Sequence, residues 1–113
     1  MDEETLAQND MGTVKTLCSK RCSCVSIRFN NLFWKFSWQN ISPLKGYVEY
    51  LLTPEGFVDN QFDKEHTVMA MQDHVMMALL SRTELLALHS LLEKAQIEYP
   101  RRELNSLFFE PTS

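Results

Sequence analysis

Cys18, Cys22 and Cys24 are the only reactive side chains that the sequence itself holds close together. A thiolate can ligate a metal or exchange with a disulfide, so both chemistries must be weighed against the spacing. Structural zinc takes four tetrahedral ligands that usually arrive as two close pairs, and here His66, His74 or His89 would have to complete the set. No second pair of cysteines exists to form the other half of such a site. On a strand, Cys22 and Cys24 would share a face about 7 Å apart, without the turn that closes a zinc knuckle. Lys20 and Arg21 offer positive charge that favours a thiolate, but the redox spacing Cys-x-x-Cys at the start of a helix is absent. The expectation is no cofactor and no bound metal, with Cys18, Cys22 and Cys24 as ordinary thiols. A thiol redox or metal-binding protein using this cluster is the alternative.

Other catalytic constellations are harder to assemble. A nucleophilic serine or cysteine needs an oriented base, and the three histidines fall on separate elements. Gly12, Gly46 and Gly56 are too dispersed for a phosphate-cradling loop, and Asp59, Asp63 and Glu65 lack the register of a calcium loop. No catalytic residue is expected, and an enzyme is the less favoured reading.

The elements that would position these residues follow from periodicity. Residues 1–12 open acidic and show no sustained apolar period, which predicts a disordered acidic tail, with a single α+β domain over 13–113. Val14 to Leu17 is a short β-prone run. Val25, Ile27 and Phe29 alternate with Cys24, Ser26 and Arg28, the pattern of a half-buried strand. Asn30-Asn31 suits a tight turn, since asparagine tolerates left-handed backbone angles, and a second strand then carries Leu32, Trp34 and Phe36 on one face. Ile41, Leu44, Val48 and Leu51 form one helical stripe, placing a helix at about 42–52 that Thr53-Pro54-Glu55-Gly56 ends. Residues 57–65 read as a connecting loop or frayed strand. His66–Met71 and Val75–Leu80 form a second hairpin around Gln72-Asp73. Ser81-Arg82-Thr83-Glu84 has capping-box spacing, and the helix behind it buries Leu85, Leu88, Leu92 and Ala95 until Pro100 stops it.

Ser37 and Ser81 are each followed by apolar residues four, seven, eleven and fourteen positions later, and each is preceded by a hairpin. This suggests a duplicated strand-strand-helix unit. The expected fold is α+β, an antiparallel sheet from two ββα units with both helices on one face.

The order of features, from Arg21-Cys22-Ser23-Cys24 through Ile27 and Phe29, the asparagine turn, LFWKFS and VMMALLSRTELLALHSLLEKA, resembles a small family of uncharacterised bacterial proteins, mainly from Bacteroidetes, classed as a domain of unknown function. The resemblance spans roughly residues 14–97 and implies the fold alone. Family members carry a Cys-x-x-Cys pair before the first long strand. The spacing Cys18-x-x-x-Cys22-x-Cys24 departs from it, so no role for that pair carries over.

Composition sets the remaining bounds. Apolar residues make up 44% and charged residues 23%, ordinary globular usage, so folding is expected. No run approaches the length of a membrane span and no signal peptide is recognisable, which predicts a cytoplasmic protein without membrane contact. A net charge of −4 opposes a nucleic-acid partner, and the basic pairs Lys20-Arg21 and Arg101-Arg102 read as solvated. Self-association or another protein partner is expected instead, because Val75 to Leu80 is apolar at every position and asks for cover on both faces. Met76, Ala78 and Leu80 are the expected interface on the second face. Leu86 and Ile97, away from the stripe of their helix, join them. The competing reading folds Leu104, Leu107, Phe108 and Phe109 back over that face.

Overall fold

The computed structural model describes residues 5–16, 24–71 and 76–109. Four strands, β1 (Thr5–Gln8), β2 (Gly12–Thr16), β3 (Cys24–Phe29) and β4 (Leu32–Ser37), form an antiparallel sheet in chain order. A 3-10 turn (Trp38–Asn40) leads into α1 (Ile41–Leu52), and α2 (Pro54–Asp59) follows at once. A hairpin of β5 (His66–Met71) and β6 (Met76–Ser81) makes a separate two-stranded sheet, and α3 (Arg82–Phe109) follows it.

The α+β class is as the periodicities indicate, and β3-β4-α1 and β5-β6-α3 repeat the strand-strand-helix order. The serine offsets hold too. Ile41, Val48 and Leu51 are buried on α1, as are Leu85, Leu88, Leu92 and Ala95 on α3, and α1 and α3 pack on each other. These stripes share one core with the inward positions Val14, Val25, Ile27, Phe29 and Trp34 of the larger sheet and with Met69, Ala78 and Leu80 of the hairpin.

The two hairpins do not merge into one sheet. The free edge of β3 is taken by β2, in register from Gly12 opposite Phe29 to Thr16 opposite Val25. The free edge of β5 is taken by the chain before it, where Asn60 O accepts from Val68 N at 2.9 Å and Phe62 N donates to His66 O at 2.9 Å.

Residues 5–12 are not a disordered tail. Leu6 and Ala7 are each only 6% exposed, and β1 pairs with β2 through a bulge between Thr5 and Ala7. The bulge turns two consecutive apolar residues inward, which erases the alternation that marks a strand in sequence. Asn9 fixes the turn by accepting from the N–H groups of Met11 and Gly12 at 2.9 and 3.0 Å, and its Nδ2 donates to Ala87 O on α3 at 3.1 Å.

The start of α1, at Ile41, is as expected, whereas two further boundaries differ for local reasons. Pro43 lies in the first turn of α1, where its missing N–H would have had no helical acceptor. Thr53 does not merely end α1. Its Oγ1 accepts from Gly56 N at 3.0 Å and Pro54 takes the first helical position, so residues 54–59 form a helix instead of a loop. A side chain at Gly56 would run into the Tyr50 carbonyl, which makes glycine necessary at this corner. Finally, α3 continues through Pro100 to Phe109. The segment that the competing reading folds back over the hairpin instead prolongs the helix.

The capping box of α3 is present. Ser81 Oγ accepts from Glu84 N at 3.2 Å and Ser81 N donates to Glu84 Oε1 at 2.8 Å. The other carboxylate oxygen of Glu84 accepts from Asn30 Nδ2 at 2.9 Å. Asn30 holds the positive φ of 54° that the β3–β4 turn requires, so this turn is tied to the start of α3.

Candidate functional site

Of the expected chemical cluster, Cys24 is described: a free, half-buried thiol at the start of β3, opposite Ser37. Cys18 and Cys22 lie outside the described residues, as does His74. Among the described residues no histidine, cysteine and carboxylate group gathers in a way that would hold a metal ion.

His66 and His89 each gain a carboxylate that sequence alone did not pair with them. His89 Nε2 lies 2.8 Å from Glu49 Oε2, linking α3 to α1, with Lys45 Nζ 3.8 Å from the same oxygen. The hydrogen bond from His89, and then the charges of Lys45 and His89, hold the Glu49 carboxyl below its ordinary pKa. His66 Nδ1 lies 2.9 Å from Asp63 Oδ1, which also accepts from the N–H groups of Glu65 and His66 at 2.8 Å each. Asp63 is likewise held low, first by the Glu65 N–H and then by the His66 side chain.

Across the hairpin His66 faces Ser81, and both line an open groove with Phe57, Val58, Lys64 and Arg82. An acid, a base and a hydroxyl therefore stand in order. The arrangement is nevertheless that of structural groups. Ser81 Oγ is engaged as the cap of α3, no hydrogen bond joins it to His66 among the described contacts, and Asp63 is occupied closing the loop before β5. A nucleophile activated by its base would need that missing bond.

The apolar strand is more informative. Directly opposed residues of an antiparallel pair point to the same face, and the register sets Thr67 opposite Leu80, Met69 opposite Ala78, Val68 opposite Leu79 and Ala70 opposite Met77. Thr67, Met69, Ala78 and Leu80 are buried, whereas Met77 is 60% and Leu79 47% exposed. Ala78 and Leu80, expected at an interface, thus belong to the chain's own core, and the uncovered face is the one carrying Met77 and Leu79. The Met76 side chain lies outside the described residues. Leu86 and Ile97 are exposed as expected, at 52% and 66%, but about 16 Å apart along α3 with Ser90 and exposed Glu93 between them on the same side. They form no continuous patch.

Among the described residues the edge of β6 is open as well. The backbone groups of Val68, Ala70 and His66 point away from β6, toward Asn60 O, the Tyr47 hydroxyl and Phe62 N. By the alternation of an antiparallel ladder, Met77 and Leu79 point their N–H and C=O groups away from β5, and among the described residues these groups have no partner. Ser81, the next in that row, is satisfied by Glu84.

No described helix is long and apolar enough to cross a membrane. No curated protein and no solved structure matches the chain significantly. A family sequence profile does match, over residues 1–107, spanning the four-stranded sheet, the hairpin and nearly all of α3. The chain belongs to that family, DUF6686, a family of unknown function.

Proposed function

We propose that this chain is a non-enzymatic assembly module that pairs with a second copy of itself along β6. The observation that carries the reading is the exposure of Met77 and Leu79 on a strand whose outer backbone groups are also unpaired among the described residues. Natural edge strands are usually protected by charge, proline or a bulge, and Met76–Ser81 contains none of these. A second copy fits because an antiparallel edge is complementary to itself about a two-fold axis, and an uncharged strand meets its copy without repulsion. Pairing along this edge sets Met77 and Leu79 beside their copies on a continuous sheet face, and each such cross-strand side-chain pair contributes about 0.2–1 kcal/mol. The same pairing would satisfy the outward backbone groups.

Two substitutions of neighbouring leucines test this. Leu79→Glu places a charge on the exposed face and is expected to yield a folded monomer with unchanged circular dichroism. Leu80→Glu places one in the core, at 2% exposure, and is expected to unfold the domain. A Leu79→Glu protein that remains a dimer would remove β6 from the interface.

A further inference from the structure

The chain-wide charge of −4 conceals a sharp segregation. Between Met11 and Val48 there are six lysines and arginines and not one aspartate or glutamate. This stretch contains β2, β3 and β4, the greater part of the four-stranded sheet. The inward positions of these strands fill the core, so the three of these cations that the strands carry, Lys15, Arg28 and Lys35, are left to the outer face. There Lys15, Ser26 and Lys35 form one cross-strand row, and Thr13, Arg28 and Phe33 form the next. Arg28 and Lys35 are exposed and, among the described residues, neither has an ion-pair partner. Phe33, directly opposite Arg28, is 56% exposed, although a phenylalanine on a sheet face flanked by cations adds nothing to the core beneath.

We infer that this outer face binds single-stranded nucleic acid, with Phe33 as a stacking surface for a base and Arg28 and Lys35 as contacts to the flanking phosphates. The geometry suits that ligand for three reasons. Adjacent strands are about 4.8 Å apart and same-face neighbours along a strand about 7 Å apart, so the ring and both cations lie within the span of two or three nucleotides. A base presents a flat π-face that an aromatic side chain recognises regardless of sequence. Thr13 and Ser26 are small, uncharged and buried on this face, at 8% and 6% exposure, so the longer side chains beside them define the surface. An acidic peptide would use the cations but leave the ring without a planar partner. Lys20 and Arg21, in the β2–β3 connection, lie outside the described residues and are not needed for the inference. The face is separate from β6, so it stands independently of self-association.

The test is fluorescence anisotropy with labelled ten-nucleotide oligouridine and oligothymidine, with labelled polyglutamate and labelled heparin as anions lacking bases. Saturable oligonucleotide binding is expected, and comparison of the two oligomers shows whether RNA or DNA is preferred. Phe33→Ala should weaken binding roughly five- to a hundred-fold, and Phe33→Trp should preserve it. Arg28→Gln combined with Lys35→Gln should flatten the slope of log affinity against log salt by about 1.4, the value for two phosphates of a single strand. All three positions are on the surface, so matching thermal unfolding curves should accompany each variant. No oligonucleotide binding at low salt, equal binding of heparin or polyglutamate, or indifference to Phe33→Ala would each overturn the inference.

Discussion

His89 Nε2 and Glu49 Oε2 meet at 2.8 Å across the packed pair α1 and α3. Because the Glu49 carboxyl titrates below its ordinary value, it binds its proton less readily folded than unfolded. Its contribution is present above the unfolded carboxylate pKa and is lost as pH falls through the lower, folded one. Denaturant titration of the native protein and of Glu49→Gln should therefore differ at neutral pH, with the difference shrinking as pH falls below the ordinary glutamate range. The site is exposed, so high salt should reduce it as well. A difference that grows in acid would show that the bond plays no such part.

Leu92→Ala should destabilise the domain by about 2–5 kcal/mol, the cost of a cavity in a close-packed core. Leu92 is fully buried between the other stripe residues of α3. Leu86→Ala, on the exposed side of the same helix, should change stability by less than about 0.5 kcal/mol. Equal effects in urea unfolding would contradict the assignment of the helix faces.

Removing residues 1–8 should lower stability by about 2 kcal/mol or more, since it deletes Leu6 and Ala7 from the core and strips β2 of its outer partner. In the intact protein, limited proteolysis should spare the bonds within Thr5–Gln8. Rapid cleavage there, with an unchanged melting temperature, would mean that β1 contributes little.

The elements most easily read from sequence are those where one period dominates. Val25, Ile27 and Phe29 alternate cleanly, and Ser81 with Glu84 announces the start of α3, so both were legible. β1 was not, because its bulge places Leu6 and Ala7 side by side in the core. The exposed face of β6 was equally hidden. Every residue from Met76 to Leu80 is apolar, so alternation cannot say which set faces inward, and only the pairing with Thr67 and Met69 decides it. Pro100 misled for a different reason: its local preference ends helices, but α3 runs on through it, and the Trp38 ring stacks on Tyr99 just before it with centroids 4.1 Å apart. Lys15, Arg28 and Lys35 are far apart in sequence and become neighbours through strand register. The absence of acidic residues between Met11 and Val48 was the sequence signal that could have drawn attention to them.

The central claim, pairing of two copies along β6, is tested most directly by the mass of the native protein in solution. Light scattering from dilute samples up to about 100 micromolar should show the 13.2 kDa chain passing into a particle of twice that mass, with Met77→Glu holding it at the single-chain value. A native protein that remains at 13.2 kDa throughout that range would contradict the account.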